Sequence, residues 1–298
     1  MSAPRLLVVY KKSQLELFQE HDPEGARSLA EREPGHHARF LLAHDENRAS
    51  IDAVAHAIEE RGLVADCRYR ADRNATCQFD LVVSVGGDGT LLDVSHAVLE
   101  SPLLGVNSAR TSVGHFCATD ALGFGAVLDR FLLGALGETP MTRLEVSVNG
   151  VPQLTPVLNE VLFAHVCPAA VSRYGITIGE DTEDQKSSGL WIATGAGSTA
   201  AIRSAGGVLM HPADPRIQFL VREPYRWGEV PLVYDKGIVE PPIFLECKTR
   251  TAAIYLDGHR EQVDLGIGDR VRVERHPNPL RLLGFRHLRT SSPRTGGA

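Results

Sequence analysis

Residues 81–92, with the sequence LVVSVGGDGTLL, constrain the fold of this chain more than any other stretch. The apolar part predicts a buried strand, and the residues after the glycine-rich turn are compatible with a helix. Gly86, Gly87 and Gly89 carry no Cβ, so the backbone can turn sharply there and approach a ligand closely. The N–H groups of such a loop, beside a helix N-terminus, favour a phosphate. We therefore expect a phosphate-binding loop that also includes Thr90.

Asp88 lies at the centre of this loop, where its carboxylate would repel a bound phosphate. A carboxylate in that position needs another task, such as binding a hydroxyl group, accepting its proton or holding a metal ion. A Gly-Asp-Gly turn is also a common structural joint, because aspartate bonds to nearby backbone. The doubled glycine, the apolar strand before it and the Thr-Leu-Leu after it favour the functional interpretation. They suggest transfer of a phosphoryl group to an alcohol, and the task of Asp88 in it stays open among these three.

The overall composition argues against several classes of function. The chain has 298 residues, 43% hydrophobic and 23% charged, as expected of a globular protein with a substantial core. Its formal net charge of −6 argues against nucleic acid as a partner, since phosphate backbones select basic surfaces. No apolar run approaches the roughly 20 residues that cross a bilayer, so we expect no membrane partner.

The cysteines and histidines indicate neither a disulfide framework nor a structural metal. The five cysteines are odd in number, scattered and without a Cys-x-x-Cys pair, so we expect reduced thiols and a cytoplasmic location. The apolar run at residues 6–10 is too short for a signal peptide. The twelve histidines show no zinc-ligand spacing, and we predict no protein-bound metal.

Strands and helices alternate in the first half of the chain, which indicates an α/β domain with a parallel sheet. The predicted strands are residues 6–10, 80–85 and 103–106, and the predicted helices are residues 50–61, 91–99 and 122–136. Ser50 is expected to cap the first of these helices, and residues 18–34 are interpreted as an irregular surface segment. Ligands of such sheets bind at the carboxyl ends of the strands, and Asp88 and Asn107 both follow such ends.

The pattern changes after Pro140, and the second half is mostly β. Its predicted strands are residues 144–148, 155–163, 174–178, 190–193, 243–247, 252–256 and 270–274. The fold class is therefore α/β plus β. The predicted division is an N-terminal α/β domain at residues 1–139, a β-rich domain at residues 140–288 and a disordered tail at residues 289–298.

Asn159 and Glu160 interrupt an apolar run in the β-rich half. An unpaired buried carboxylate is unfavourable, so the pair is either solvated at a strand edge or placed against a ligand. Asn and Glu together offer the donors and acceptors that ribose hydroxyls need. This pair is therefore a candidate ribose site.

Residues 194–200, TGAGSTA, follow a predicted strand and match the pattern G-x-G-x-x-A from Gly195. A Rossmann unit needs a longer helix after that pattern and a second strand that carries an acid. We interpret the segment as a loop that approaches a nucleotide closely, with Ser198 and Thr199 as hydroxyl donors, and a tight structural turn is the alternative. Asp257 and Asp269 lie in turns of a predicted meander; a structural and a functional role are both open for Asp257.

The order and spacing of these motifs resemble those of the NAD kinase family. The motifs are GGDGT at 86–90, GVN at 105–107, NE at 159–160, SGL at 188–190, TGAGSTA at 194–200, DG at 257–258 and GD at 268–269. The resemblance covers about residues 80–275. The spellings KKS at 11–13, GHF at 114–116 and KSSGL at 186–190 are most similar to the branch that includes mitochondrial NAD kinase and plant NADH kinase.

This resemblance implies an NAD kinase/diacylglycerol kinase-like fold and ATP-dependent phosphorylation of the adenosine ribose 2′-hydroxyl of NAD(H), giving NADP(H). Asp88 would act as the general base or position the hydroxyl, and the loop of Gly86, Gly87, Gly89 and Thr90 would hold phosphates. Mg²⁺ would arrive with ATP. The β-rich domain would bind the dinucleotide. The resemblance assigns dinucleotide contacts to Asn107 of the N-terminal domain as well, and in the β-rich domain to Asn159, Glu160, Ser188, Thr194, Ser198, Thr199 and Ala200.

The chain departs from the common bacterial spelling in two motifs: Ser188 replaces an expected aspartate, and residues 195–201, GAGSTAA, stand where PTGSTAY is expected, so that Ala201 replaces a tyrosine. Both lie on the nicotinamide side of the pocket in the family, so the choice between NAD and NADH stays open, as does ATP or polyphosphate as donor. Family members are usually homodimers or homotetramers. The alternatives are a lipid kinase of the diacylglycerol or sphingosine type and an inactive dinucleotide-binding sensor.

Overall fold

The computed structural model describes residues 3–72, 79–109, 113–225 and 233–285. The chain divides into two compact units. The first unit combines Met1–Thr139 with the residues from Arg281 onward, and the second consists of Pro140–Leu280. The tail predicted at residues 289–298 lies outside the described residues.

A sheet flanked by helices forms the first unit. Its elements are β1 (Leu6–Tyr10), α1 (Gln14–His21), α2 (Pro23–Arg32), α3 (Pro34–Glu59), β2 (Ala65–Tyr69), β3 (Leu81–Gly86), α4 (Asp88–Ser95), β4 (Leu103–Asn107), β5 (Cys117–Asp120), α5 (Phe124–Leu132) and β6 (Glu138–Met141). In the part of the chain that the structure describes, no helix is long and apolar enough to cross a membrane.

The second unit consists almost entirely of strands. Its elements are β7 (Leu144–Val148), β8 (Val151–Pro152), β9 (Glu160–His165), β10 (Ser172–Ile178), β11 (Asp181–Ser187), β12 (Gly189–Ala193), a 3₁₀ turn (Gly197–Thr199), α6 (Ala201–Ser204), β13 (Ile217–Arg222), β14 (Lys236–Val239), β15 (Ile243–Cys247), β16 (Ala252–Leu256), β17 (Glu261–Leu265) and β18 (Arg270–Arg275). A last strand, β19 (Leu280–Leu283), ends the described chain.

The sheet of the first unit has the order β2-β1-β3-β4-β19-β6, and β5 pairs with β4 as well. Strands β2, β1, β3 and β4 are mutually parallel, with Tyr10 of β1 beside Val85 of β3. The apolar runs of β1 and β3 are buried because helices and loops cover both faces of such a sheet. Val54 and Ile58 of α3 and Phe124 of α5 belong to this core. The predicted α/β class is confirmed.

The segment between β1 and β2 is helical over most of its length, contrary to the prediction of an irregular surface at residues 18–34 and a helix that begins at Ser50. The Asp22 side chain caps α2, and Pro23 and Pro34 occupy the first turns of α2 and α3. Helices α1 and α2 each bury a single residue, Leu15 and Ala26, and most of their other side chains are polar, so their sequence resembles a solvated surface segment and the prediction failed. Ser50 lies inside α3 and donates to the Ser108 carbonyl at 3.2 Å.

The predicted end of the second domain at residue 288 is wrong for residues 281–285. Leu282 of β19 pairs in parallel with Leu103 of β4, so the chain returns to the first sheet after β18. Arg281 also binds the Glu138 carboxylate through two hydrogen bonds of 2.8 and 2.9 Å. Pairing between strands so distant in sequence leaves no local pattern by which the return could be predicted.

Two antiparallel sheets form the second unit, with the orders β11-β10-β15-β18-β7-β8 and β14-β13-β12-β9-β16-β17. Apolar residues of both sheets form one buried cluster, in which the rings of Phe163 and Tyr174 meet edge to face at 4.9 Å. Strands such as β15 alternate buried and exposed residues, as expected when one face packs on the core. The predicted strand at residues 155–163 is wrong in extent, since β9 begins only at Glu160.

Asn47 of α3 provides a test of how the helix is fixed to the sheet. Its Nδ2 donates to the Lys11 carbonyl at 3.0 Å, and its Oδ1 accepts from the Ser108 hydroxyl at 2.9 Å. Asn47→Ala should lower the free energy of unfolding by about 2–3 kcal/mol, because two buried polar groups lose their partner. Urea unfolding measures the difference. The adjacent exposed change Arg48→Ala should stay within about 0.5 kcal/mol of the wild type, and equal losses would contradict the assigned role.

Candidate active site

The glycine-rich loop lies at the point where the order of the parallel strands reverses. From β1 the chain proceeds to β2 on one side, whereas β3 and β4 extend the sheet on the other side. The crevice at the carboxyl ends of β1 and β3 is therefore the position where ligands of open α/β sheets bind. Lys11 follows β1, Gly87 and Asp88 follow β3, and Asn107 ends β4 beside Gly86.

Within this loop, the glycines have different surroundings. Gly86 is buried at the end of β3, and the Thr90 side chain occupies the space that a Cβ of Gly86 would need, at 2.2 Å. Gly87 precedes α4 and accepts the N–H groups of Thr90 and Leu91 at 2.9 and 3.1 Å. Gly89 is exposed in the first turn of α4, with no atom within 4 Å of its ideal Cβ position. Gly89 thus offers the open backbone surface of the loop.

The Asp88 carboxylate is held by backbone N–H groups from a different segment. Oδ1 accepts from Phe116 at 2.8 Å, and Oδ2 accepts from His115 at 3.0 Å. The rings of these two residues contact each other and Phe285, at centroid distances of 5.0, 5.7 and 6.1 Å. Each carboxylate oxygen keeps a further lone pair, so Asp88 is fixed in orientation and can still accept a proton or a hydroxyl.

Lys11 adds a positive charge to the same edge of the sheet. Its N–H donates to the Val85 carbonyl, and its own carbonyl accepts from Asn47, so its backbone lies directly beside β3. Burial lowers the pKa of the Lys11 ammonium, and the nearby Arg70 guanidinium lowers it further. The described residues provide no ion-pair partner for this ammonium, whereas Arg70 pairs with Asp93 at 3.0 Å. A partly buried cation without a carboxylate is suited to an anionic ligand.

The described residues contain no group of three or more His, Cys, Asp or Glu side chains arranged to hold a metal ion. Mg²⁺ in phosphoryl-transfer sites usually keeps water and phosphate ligands and takes only one or two carboxylates. Asp88 retains lone pairs for such a contact while it accepts its two N–H groups. The donor set therefore fits a Mg²⁺ ion that enters with a phosphate chain.

In the second unit, Asn159 and Glu160 lie where β9 begins, and one aspartate fixes their backbone. The Asp257 carboxylate accepts the N–H groups of Leu158, Asn159 and Glu160 at 2.7, 2.7 and 3.0 Å. The Asp257 N–H donates in return to the Glu160 carbonyl at 3.0 Å. Asp257 adopts a left-handed conformation with φ of 52° in the turn between β16 and β17, which aspartate tolerates.

The side chains of this pair end in buried oxygen atoms. Asn159 Oδ1 and Glu160 Oε2 have no hydrogen-bond partner among the described residues. Burial raises the pKa of the Glu160 carboxyl to about 8, and the negative charge of Asp257 contributes to the rise. Buried polar atoms are normally hydrogen-bonded, so both atoms are suited to bind a ligand. The sequence left open a solvated strand edge or a ligand site, and the burial of Glu160 favours the ligand site.

The loop after β12 is built by its own hydrogen bonds. The Thr194 hydroxyl donates to the Leu158 carbonyl at 2.5 Å and accepts from Gly197 N–H at 3.0 Å. The fully buried Ser198 hydroxyl donates to the Gly195 carbonyl at 2.6 Å and accepts from Met210 N–H at 2.9 Å. These two hydroxyls therefore shape the loop, and their predicted contact with the dinucleotide stays a prediction.

Two glycines of this loop lie against backbone carbonyl groups of other segments of the chain. A Cβ on Gly195 would lie 1.9 Å from the His211 carbonyl oxygen, and one on Gly197 would lie 2.0 Å from that of Asn159. The close approach that the sequence predicted toward a nucleotide is thus an approach to backbone. Thr199 is exposed and Ala200 is half-buried, so these two keep a surface toward solvent.

Ser188 does not lie with the other predicted dinucleotide residues of the second unit. It precedes β12, whereas Thr194 follows the same strand, and Ala193 pairs with Glu160. Five residues of extended strand separate the two ends by about 17 Å. Asn107, which was predicted to bind the dinucleotide, lies in the first unit, where its side chain packs on Gly114.

Comparison with known proteins adds independent support. The family model described as the ATP-NAD kinase N-terminal domain matches residues 22–135. A probable NADH kinase of Oryza sativa subsp. japonica is 37% identical over 219 residues, which cover 65% of this chain and 67% of the rice protein. The NADH kinase of Arabidopsis thaliana is 36% identical over 230 residues, covering 65% of this chain and 69% of that protein. This chain belongs to the NAD kinase family.

Two solved structures share the fold. An NAD kinase from Archaeoglobus fulgidus in complex with ATP superposes with a TM-score of 0.63, 20% identity and coverage of 95% of this chain and 93% of that one. Yeast NADH kinase complexed with NADH gives a TM-score of 0.69, 18% identity and coverage of 95% and 84%. The predicted NAD kinase resemblance, including its similarity to the plant NADH kinase branch, is confirmed.

Three features of this NAD kinase family member were missed from the sequence. Lys11 was considered only as part of the KKS motif at residues 11–13. Ligands bind at the carboxyl ends of parallel strands, and this rule, which drew attention to Asp88 and Asn107, applies equally to the residue after β1. The N–H groups of His115 and Phe116 carry no sequence signal, because any residue can donate them. Asp257 was recognised as a turn residue, but nothing local indicated which backbone it contacts.

Gly197 tests whether the loop after β12 supports Asn159. Gly197→Ala should lower the free energy of unfolding by about 2–3 kcal/mol, because the Asn159 carbonyl occupies the position of the new Cβ and backbone cannot yield easily. Thermal or urea unfolding measures the loss. Gly35→Ala is the matched control, since α3 leaves open space there, and it should be neutral or stabilising by up to about 1 kcal/mol. Equal behaviour of the two variants would argue against the close contact.

Proposed function

We propose that this protein transfers the γ-phosphoryl group of ATP to the 2′-hydroxyl of the adenosine ribose of NAD(H), giving NADP(H). The observation that carries the proposal is the Asp88 carboxylate, oriented by the N–H groups of His115 and Phe116 at the carboxyl edge of a parallel sheet. Membership of the NAD kinase family supports the same reaction.

In this proposal, Asp88 accepts a hydrogen bond from the ribose hydroxyl and takes its proton as the oxygen attacks the γ-phosphorus. The bond between the γ-phosphorus and the bridging oxygen breaks, and ADP leaves with the electron pair. The two backbone N–H groups prevent rotation of the carboxylate, so the unshared lone pairs keep one direction. Such positioning makes up a large part of catalysis in phosphoryl transfer.

The phosphate chain would lie on the loop of Gly86, Gly87, Gly89 and Thr90, where α4 begins. Lys11 would contact the same phosphates, since its ammonium has no ion-pair partner in the described residues. Bound Mg²⁺ would neutralise charge on the triphosphate during transfer. In these assignments, Lys11 and the glycine loop of the first unit bind the phosphates of ATP, the phosphoryl donor.

The dinucleotide would contact Asn159 and Glu160 through the buried oxygen atoms of their side chains. Thr199 and Ala200 would contribute exposed surface, and Thr194 and Ser198 would act by holding their loop. Asn107 would act in the first unit. Ser188 stays a candidate contact for the nicotinamide end.

The donor and acceptor preferences belong to the same proposal. The named plant relatives are NADH kinases, which favours NADH as a substrate to be tested beside NAD. ATP is the expected donor, and polyphosphate is the alternative. An NADP(H)-formation assay that crosses both acceptors with both donors measures these preferences.

The cellular location, the oligomeric state and the roles of the two units are part of the proposal as well. We place the enzyme in the cytoplasm as a homodimer or homotetramer, and we equate the two structural units with an α/β domain and a β-rich dinucleotide-binding domain. Size-exclusion chromatography with light scattering measures the oligomeric state.

Asp88→Asn tests the catalytic role directly. We expect kcat for NADP formation to fall by about 10²–10⁴-fold, because an amide cannot accept the proton. The Kd of the dinucleotide should stay within about threefold, since an amide oxygen can still accept one N–H group. Steady-state kinetics and calorimetry measure the two quantities.

The control for this variant is Asp52→Asn, which removes an exposed carboxylate from α3 and should leave kcat unchanged. Thermal unfolding establishes that both variants are folded. Near-normal turnover of folded Asp88→Asn would defeat the assignment of Asp88.

Lys11→Met tests the proposed phosphate contact. The KM for ATP should rise by about 10–100-fold, because a charge-assisted contact is lost, while the melting temperature stays equal or rises, because a partly buried charge is removed. The neighbouring Lys12 binds Glu20 at 2.6 Å, so Lys12→Met should change the KM less than about twofold. Equal kinetic effects of the two changes would argue against the contact.

A further inference from the structure

Glu160 faces the outer surface of its sheet, away from the core of the second unit. Val161 and Phe163 of β9 belong to the buried core between the two sheets. Successive residues of a strand point to opposite faces, so Glu160 points to the other face. There it lies in register with Ala193, which packs with Ile202 in a small apolar cluster. The carboxyl group is thus held beside apolar side chains and is only 8% exposed.

Hydrogen bonds hold the backbone of Glu160 on both sides of the residue. Its N–H donates to Asp257, and its carbonyl accepts the Asp257 N–H, so both polar backbone groups are bound. On the neighbouring side, the Asn159 carbonyl accepts Thr194 N–H at 2.9 Å and is covered by Gly197. The side chain therefore stays buried with its Oε2 atom unpartnered among the described residues.

Asp257 is the charged group that acts on Glu160, and its charge is negative. On one side of β9, the neighbouring strand β12 carries no titratable side chain. On the other side, Tyr255 of β16 lies opposite Leu162 of β9. Arg203 of α6 donates to the Gly207 carbonyl. The charged or titratable residues that follow Asp257 in the turn and in β17 are His259, Arg260, Glu261 and Asp264. A second negative charge beside Asp257, in an apolar setting, is unfavourable.

We propose that Glu160 binds its ligand as a neutral carboxylic acid that donates a hydrogen bond to a hydroxyl oxygen, and that Asp257 is the positioning residue that maintains this state. The inference rests on the proposed function for the identity of the hydroxyl, which belongs to a ribose of the dinucleotide. A neutral acid offers one donor and a free acceptor oxygen, which complements a hydroxyl group in both directions. An ionised carboxylate could only accept.

The protonation state is testable without ligand. Burial and Asp257 raise the folded pKa of Glu160 from 4.5 to about 8, so the folded protein holds a proton that the unfolded chain loses. Stability from this group is fully present below about pH 4.5 and is lost as pH rises toward about 8. Glu160→Gln, which stays neutral, should therefore gain melting temperature over the wild type as pH rises from about 5 to about 8. A difference that does not change with pH would overturn the proposal.

The donor role is tested by titration calorimetry with NAD and NADH between about pH 6 and pH 9.5. Wild-type affinity should fall about tenfold above pH 8, because the donor is lost. Glu160→Gln retains a donor and should bind within about threefold of the low-pH wild type at every pH, and Glu160→Ala should bind about tenfold more weakly at every pH. Glu246→Gln, at an exposed position of β15, is the control and should follow the wild type.

Asp257→Asn should move the midpoint of the wild-type pH dependence to lower pH, which loss of a purely structural contact would not do. If Glu160→Gln binds tenfold more weakly at low pH, or if the wild-type affinity is independent of pH, Glu160 acts as an ionised acceptor and the proposal is wrong. If neither dinucleotide binds at any pH, the proposed function fails, and the ligand-free unfolding series still decides the protonation state.

Discussion

In each of the two units, one aspartate carboxylate that accepts backbone N–H groups fixes the segment that carries the candidate residues. In the first unit, Asp88 fixes the His115–Phe116 segment, which lies 27 and 28 residues away in the chain. In the second unit, Asp257 fixes the start of β9, which lies 97 to 99 residues away. A carboxylate offers several lone pairs, so one side chain can bind several N–H groups and still contact a ligand. The orientation of Asp88 and the positions of Asn159 and Glu160 depend on these two attachments.

The two glycine-rich loops show that similar sequences can serve different physical needs. At Gly195 and Gly197 the missing Cβ admits carbonyl groups of the chain itself, so the loop is a packing device. At Gly89 the missing Cβ leaves open space at a helix N-terminus, where a ligand can approach. Both sequences resemble ligand-binding loops, because a sequence shows that a glycine has no Cβ but not which atoms occupy the space of that Cβ.

The sequence was sufficient wherever the signal is local. The buried runs of β1 and β3 and the glycine loop after β3 were placed correctly, whereas the pair Asn159–Glu160 was predicted inside a strand and lies at its start. It was insufficient where a distant contact decides the structure, as in the return of β19 to β4 and the bonds of Asp257. Helices α1 and α2 were missed for another reason: each buries a single residue, so most of their sequence is polar and resembles a solvated surface segment.

Each unit holds one candidate group in an environment that opposes its charge. Burial lowers the pKa of the Lys11 ammonium and raises that of the Glu160 carboxyl, and each lies in a different unit. Neither group has a side-chain partner of opposite charge in the described residues, so each would be better accommodated with a ligand than without one. A phosphate suits the first group and a hydroxyl the second. A ligand bound at either position would relieve the unfavourable burial there, and part of its binding free energy would appear as added stability of that unit.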